Sequence, residues 1–432
     1  MLVGVILPDS TADPREPLGE LAALAKTAGA KVVGQILQKR SRVDAGTYVG
    51  TGKVIEIAEL AMQQKADVII FDNDLSPAQI GALERRINKH ADSPDLEGIK
   101  VLDRSELILD IFATRARTAE ARLQVELAQM EYTYPRLTRM WGHLERIAAG
   151  APAAGIGARG PGEQQLEIDR RLVRDRVQHL KKQIAQVQAR KTREVAQRTS
   201  QHATICIVGY TNAGKSTLFN TLTGAGTYAD DKLFATLDTK TRAWKLDKGE
   251  EIMLSDTVGF VRDLPHGLVA SFKATLEEAI HADLLLHVLD VGHPRAQQQF
   301  DSVHEVLEEI GAKDKPEILL LNKIDTEEGE TQAHTWRTVH PAAIPISAKS
   351  GQGLDRLVDA VHRHLLGHLI EVILETSLTD GRLISFIEQH GQIHDREFVD
   401  GQAIYRATMS KHILLELSRR KNVQIKSAKA ME

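Results

Sequence analysis

The chain of 432 residues contains a single cysteine, Cys206. No disulfide can form within it, which fits a reducing compartment. No apolar run approaches the ~18 residues that a membrane-spanning helix needs. The opening Met1–Leu7 has no basic stretch ahead of it and is too short for a secretory signal, so it reads as a first β-strand. The final residues, Lys429-Ala430-Met431-Glu432, include no cysteine box, which argues against a lipid-anchored switch. These absences predict a cytoplasmic protein with no membrane span. Hydrophobic content of 42% and charged content of 26% are ordinary for a globular protein. The length predicts two to four domains.

The charge is uneven. Residues 115–202 hold 17 Lys and Arg against 9 Asp and Glu, whereas the whole chain is net −4. Such a basic block inside an acidic chain points to an anionic partner for the middle segment.

The spacing of apolar residues predicts four units. Residues 1–114 alternate strands (Leu2–Leu7, Lys31–Gln38, Asp67–Phe71, Ile99–Leu102) with helices (Leu18–Ala28, Lys53–Lys65, Pro77–Lys89, Arg104–Thr114), a small α/β domain. Within it, Gly46–Lys53 is a glycine-rich loop opening a helix. It invites a second phosphate-site reading, but no Ser or Thr follows the Lys; a structural turn or an RNA contact is the alternative. Residues 115–200 read as two long antiparallel helices. Leu123, Leu127, Met130, Tyr134, Leu137, Trp141 and Leu144 form one seam, and Leu166, Val173, Val177, Leu180, Ile184 and Val187 a second. Between them, Ala148–Gly162 has five glycines and two prolines and cannot continue a helix. Pro135 should kink the first helix. Arg159 in the tip and Arg170, Arg171, Arg174 and Arg176 beyond it suit a probe into a nucleic-acid cleft. Residues 201–368 and a small α/β unit at 369–432 complete the chain. In the last unit Ile370–Leu378, Gly381–His390, Gln402–Met409 and Lys411–Lys421 read as strand, helix, strand, helix.

The third unit carries the chemistry. Gly209-Tyr210-Thr211-Asn212-Ala213-Gly214-Lys215-Ser216-Thr217 fits G-x-x-x-x-G-K-[ST], the phosphate loop of P-loop NTPases. A buried strand, Thr204–Val208, precedes it, and a helix through Leu218–Leu222 follows. The glycines let backbone N–H groups wrap a phosphate at a helix N-terminus. Lys215 would reach the β- and γ-phosphates, and the Ser216 hydroxyl would ligate Mg²⁺. Asp256-Thr257-Val258-Gly259, at the end of a strand Glu251–Ser255, fits D-x-x-G. Asp256 would hold Mg²⁺ through water, and the Gly259 N–H would touch the γ-phosphate. Thr236, within Phe234-Ala235-Thr236-Leu237-Asp238, is the candidate switch threonine that closes on Mg²⁺. Lys215, Thr236 and Gly259 are thus the candidate catalytic groups, and Ser216 and Thr236 the candidate metal ligands.

Base choice is read from Asn322-Lys323-Ile324-Asp325, which follows the apolar strand Glu317–Leu321, 105 residues after Thr217. The Asp325 carboxylate can accept both the N1–H and the 2-amino hydrogens of guanine, a donor pair that adenine lacks. The Lys323 stem can lie over the purine. Ser347-Ala348-Lys349, after Ala343–Ile346, would add backbone contacts to the base. Five motifs at strand ends place a ligand at the carboxyl edge of a doubly wound, mostly parallel sheet.

One expected group is missing. Ras-like GTPases carry a Gln directly after D-x-x-G to orient the attacking water. Here that residue is Phe260, so unaided hydrolysis should be slow. Asn212 could help seat K⁺ beside the phosphates, or could merely stabilise the loop.

Together these residues resemble the HflX family of translational GTPases. The stretch Gly155-Ile156-Gly157-Ala158-Arg159-Gly160-Pro161-Gly162-Glu163-Gln164-Gln165-Leu166-Glu167-Ile168-Asp169-Arg170-Arg171 is similar to its signature loop and helix. It departs from the pattern at Ala158, where the family has Thr, and in part at Gln164, Gln165 and Ile168. The phosphate loop, Phe234–Leu237 and Asp256–Phe260 match as well. The resemblance covers essentially the whole chain, least specifically its last 60 residues. It implies a GTPase that binds the large ribosomal subunit and its rRNA in the GTP state; Mg²⁺ dependence, stimulation by a partner and a monomeric state are expected beside it. It also implies that the helical arm reaches toward the peptidyl-transferase region and that stalled ribosomes are split or rescued. The competing reading is an ATP-dependent remodeller of ribosomal RNA that its GTPase domain only regulates.

Overall fold

The structure is a computed structural model that describes residues 1–8, 15–91, 98–132, 161–199, 203–224, 234, 239–246, 251–261, 276–366, 369–399, 401–418 and 422–430. Ala235, Thr236, Leu237 and Asp238 lie outside the described residues. So do Pro135, Tyr134, Leu137, Trp141, Leu144 and the glycine-rich tip with Arg159.

The first sheet is parallel. Its strands are β1 (Leu2–Ile6), β2 (Gln35–Lys39), β3 (Val68–Phe71) and β4 (Lys100–Asp103), in spatial order β2-β1-β3-β4. Helices Gly19–Thr27, Thr51–Gln63, Pro77–Ala91 and Arg104–Arg115 alternate with them, as the α/β pattern predicts. The strand expected from Lys31 starts only at Gln35. The last helix opens where Asp103 accepts from the Glu106 N–H at 2.9 Å, a side-chain cap for an otherwise orphan donor.

Residues 119–132 are helical, as is Pro161–Thr199. Leu127, Leu180 and Ile184 are buried together, with Leu123, Met130 and Val177 packed around them. These are members of the two expected seams. Arg176–Glu126 at 2.6 Å and Lys181–Glu131 at 2.8 Å pair at the margin. They are substantially exposed, so the apolar seam holds the helices together more than the ion pairs do.

The second sheet has six strands: β5 (Thr204–Gly209), β6 (Lys240–Lys245), β7 (Glu251–Asp256), β8 (Leu284–Asp290), β9 (Glu317–Asn322) and β10 (Ile344–Pro345), ordered β10-β9-β8-β5-β7-β6. Only β6 runs antiparallel to its neighbour. β5 and β8 are apolar along nearly their whole length, because helices cover both faces of the sheet.

The last unit differs from the four-element reading. Its sheet is antiparallel, ordered β12-β13-β11-β14, from β11 (Leu369–Ser377), β12 (Gln392–Val399), β13 (Gln402–Ser410) and β14 (Val423–Ala430). Helices Gly381–His390 and Lys411–Ser418 accompany it. The two unforeseen strands, β12 and β14, are its edges. β12 is exposed apart from half-buried Ile393, so it shows charge where a central strand would show apolar alternation.

One contiguous apolar cluster joins the first and third units. It runs from Leu21 and Leu24 through Ile108 and Phe112 to Tyr210, Phe234, Phe260 and Leu276. The Phe112 and Phe234 rings meet edge to face, centroids 4.5 Å apart.

Candidate nucleotide site

The phosphate loop turns on positive φ angles. Gly209 has φ 149° and Gly214 φ 101°. A Cβ on Gly209 would strike the Val288 carbonyl, and one on Gly214 the Asn322 amide. Neither position admits a side chain. Asn212 also has φ 61° and is exposed, a conformation that Asn tolerates better than most residues. The helix expected to continue through Leu218 begins at Lys215 and runs to Thr223. Its first-turn N–H groups therefore face the loop directly.

Lys215 is buried, and its Nζ donates to the Tyr210 carbonyl at 2.8 Å. Burial pulls its pKa down to about 8, against the opposing pull of Asp256. Ser216 Oγ donates to Asp256 Oδ2 at 2.8 Å. The two oxygens assigned from sequence to the Mg²⁺ environment thus converge, although they lie 40 residues apart. Hydroxyl and carboxylate oxygens suit a hard cation of that kind. Thr257 Oγ1 donates to the Ile207 carbonyl at 2.7 Å, tying the D-x-x-G turn to β5. Gly259 packs against Thr211 and Lys215: a Cβ there would stand 2.7 Å from Thr211 Cγ2 and 2.9 Å from Lys215 Nζ.

The base-reading loop is held by its first residue. Asn322 Nδ2 donates to the Ala213 carbonyl at 2.7 Å, and Asn322 Oδ1 accepts from the Ala348 N–H at 2.9 Å. Its side chain therefore links the phosphate loop to Ser347–Lys349. Asp325 is exposed, and its Oδ1 accepts from Ser347 Oγ at 2.8 Å. Lys323 has φ 68°, and its Nζ pairs with Asp290 Oδ2 at 2.7 Å. Ile324 N–H donates to the Ile346 carbonyl at 3.4 Å. Thr221 Oγ1, one turn beyond Thr217, donates to the Ala348 carbonyl at 2.8 Å.

Two side chains in the candidate set turn away from this edge. Phe234, counted from sequence among the nucleotide contacts, has its ring in the core against Phe112. Tyr210 sends its hydroxyl to Glu20 Oε1 at 2.9 Å. Its contribution to the loop is the carbonyl that receives Lys215. The Phe260 ring is also buried in that core, and its backbone exchanges bonds with Thr211 N (2.7 Å) and Gly209 O (3.2 Å). Phe260 is therefore a clamp between the phosphate loop and the D-x-x-G turn. Asp290 and the bridging role of Asn322 escaped the sequence reading, since both depend on contacts made in three dimensions.

The glycine-rich loop at Gly46–Lys53 is satisfied by neighbouring protein groups, among them Gln38 Oε1, which accepts from the Gly50 N–H at 3.2 Å. Gly46 and Thr47 N–H groups both donate to Asp44 Oδ1 at 2.9 Å, and Lys53 pairs with Glu56 at 2.6 Å. None of its glycines has a positive φ. This is the geometry of an Asx-type turn and favours the structural alternative.

Comparison with known proteins agrees along the chain. Residues 15–113 match the GTP-binding GTPase N-terminal family model and 115–198 the GTP-binding GTPase middle region. Residues 204–323 match the 50S ribosome-binding GTPase model, and 335–430 the HflX C-terminal domain. GTPase HflX of Caldanaerobacter subterraneus is 42% identical over 92% of this chain and 88% of its own. GTPase HflX of Escherichia coli is 44% identical over 86% and 84%. A solved SsGBP–GDP complex is 26% identical, with a TM-score of 0.46, over 84% of this chain and 98% of that one. No described helix is long and apolar enough to cross a membrane. This chain, with its P-loop GTP-binding domain and GTP-hydrolysing activity, belongs to the HflX family of GTPases.

Proposed function

We propose that the protein associates with the large ribosomal subunit in its GTP state and acts there in ribosome splitting, rescue or biogenesis. The observation that carries the nucleotide half is the convergence of three loops on one sheet edge. Ser216 meets Asp256, and Asn322 ties Ala213 to Ala348. The ribosomal half is supported by the 50S ribosome-binding GTPase match over residues 204–323 and by the net positive charge of residues 115–202.

In this reading Lys215 leaves the Tyr210 carbonyl to meet the β- and γ-phosphates, and Gly259, which has no side chain beside Lys215 Nζ, leaves room for them. Ser216 and Thr236 would hold Mg²⁺ directly and Asp256 would hold it through water. When bound, Mg²⁺ offsets the charge on the β- and γ-phosphates. Asp325 and the Ser347–Lys349 backbone read guanine, with Lys323 laid along the base. Phe260 is buried in a core and has no group to orient a water. The water-positioning group therefore comes from elsewhere, and a ribosomal partner is the source that fits the family. The helical pair within 115–200 acts as the arm, its basic tip meeting rRNA.

The test is co-sedimentation of the full chain with ribosomes and with separated subunits in GDP, GTP and a non-hydrolysable GTP analogue. The reading expects retention on the large subunit with GTP or the analogue and loss with GDP. Equal retention in all three states would overturn it.

A further inference from the structure

A second cluster of ligand-type side chains lies away from the nucleotide edge. His287 occupies the middle of β8 and is fully buried. Glu317 opens β9, and His304 projects from helix Ala296–Glu309. The strand register brings the first two together. Leu285 faces Glu317 and His287 faces Leu319, so all four share one face of the sheet, the side-chain period being two. His287 Nδ1 stands 2.9 Å from Glu317 Oε1, and His304 Nε2 stands 3.6 Å from the same oxygen. One donor atom from each of the three lies within 4.8 Å of the others.

A structural hydrogen bond accounts for His287 and Glu317 alone. It leaves His304 unexplained: its buried Nε2 has no hydrogen-bond partner among the described residues, yet it ends beside the carboxylate. The surroundings fix the rings. Phe300 stacks on His287 at 5.2 Å, nearly parallel, and meets His304 edge-on at 4.4 Å. A third imidazole, His340, lies 5.3 Å from the Phe300 ring.

We propose that His287 Nδ1, His304 Nε2 and Glu317 Oε1 form a binding site for a borderline divalent transition metal, of which Zn²⁺ is the type. Two imidazoles and one carboxylate favour Zn²⁺, Co²⁺ or Ni²⁺ over Mg²⁺, which prefers six oxygens. Ligand bonds of about 2.0–2.2 Å in a tetrahedron set ligand atoms about 3.3 Å apart. The observed 2.9 and 3.6 Å bracket that spacing. Three protein ligands leave a fourth position for water or for His340. The site clamps β8 and β9 to the helix beside them. It is separate from the nucleotide edge: Glu317 lies five residues before Asn322 on β9, about 16 Å along a strand.

The experiment uses the full chain, stripped with a chelator and then saturated with GDP and Mg²⁺ so that the nucleotide site is filled. Co²⁺ is titrated while the visible d–d bands are recorded, and Zn²⁺ affinity is taken by competition with a chromophoric chelator. One equivalent with tetrahedral bands is expected. His304→Ala and Glu317→Gln should each weaken Zn²⁺ by tenfold or more and remove the bands. GDP affinity should be unchanged in His304→Ala, which also reports that the variant is folded. X-ray absorption of the Zn²⁺-loaded wild type should show imidazole scattering, a readout independent of any variant. No Co²⁺ bands in the wild type, an edge without imidazole, or full Zn²⁺ affinity in a folded His304→Ala would each overturn the proposal.

Discussion

The Tyr210 hydroxyl, on the second residue of the phosphate loop, donates to Glu20 Oε1 at 2.9 Å, 190 residues earlier in the chain. The same carboxylate pairs with Arg104 Nη2 at 2.6 Å, and Arg104 pairs in turn with Asp72 at 2.7 Å. Arg104 is only 1% exposed, so it depends on these partners. The first α/β unit is thereby wired to the loop that handles phosphate. Glu20→Ala should strip a buried charge of one partner and destabilise the protein by about 3 kcal/mol. That corresponds to a thermal midpoint lower by about 5 °C or more. An unchanged midpoint in calorimetry would mean that the pair contributes nothing to the contact between the units.

Lys215 sets a pH dependence. Its pKa in the nucleotide-free protein is about 8. Phosphates favour the charged ammonium, so the bound state keeps a proton that the free state sheds above pH 8. Binding then takes up a proton, and affinity falls as pH rises. GDP binding should be nearly constant below pH 7 and about tenfold weaker at pH 9. Calorimetry in buffers of different ionisation enthalpy would reveal the proton uptake. A flat affinity from pH 7 to 9 would show that Lys215 stays charged in the free protein.

Asp325 is the proposed reader of the base. Asp325→Asn should weaken GTP by about 1–3 kcal/mol and improve xanthosine triphosphate, whose 2-oxo group offers an acceptor in place of the amine. Competition binding with both nucleotides measures the exchange. Unchanged GTP affinity would remove Asp325 from the base site.

Phe260 has no side-chain group that could orient a water. Turnover by the chain alone should be slow, and ribosomes should raise it roughly a hundredfold or more, the scale of one positioned catalytic group. Phosphate release measured with and without ribosomes tests this. Replacing Na⁺ by K⁺ in the same assay isolates Asn212, with a higher rate in K⁺ expected. Equal rates would leave Asn212 as a loop residue only.

The basic segment predicts a salt signature. Each phosphate neutralised by Arg159, Arg170 or Arg171 should contribute a log–log slope of about −0.7 to −0.9 to ribosome affinity. Replacing all three by Ala should flatten the slope by roughly two to three units, while GTP affinity is retained. An unaltered slope would make these arginines a solvated face.

Strands β5, β7, β9 and β10 of the nucleotide sheet were legible because each is a short apolar run ending in a motif of fixed spacing, whereas β6, a charged edge strand, and β8, which ends in no motif, were not read. β5 and β9 are clear cases: each reads as an uninterrupted apolar run stopped by a polar signature. β12 and β14 were not legible, because edge strands hide their period behind charge. Nor was the packing of Phe234 on Phe112 or of Tyr210 on Glu20. Such pairs are joined only by the folded chain and leave no periodic trace. The same holds for His287, His304 and Glu317, whose spacing matches no local motif.

Asn322 donates from one end of its amide and accepts at the other, with Ala213 on one side and Ala348 on the other. Asp cannot donate, and Gln would set the two loops one methylene further apart. The leading letter of the N-K-x-D signature therefore answers to the polypeptide rather than to guanine. It works as a caliper, fixing how far the phosphate loop at Ala213 stands from the Ser347–Lys349 loop.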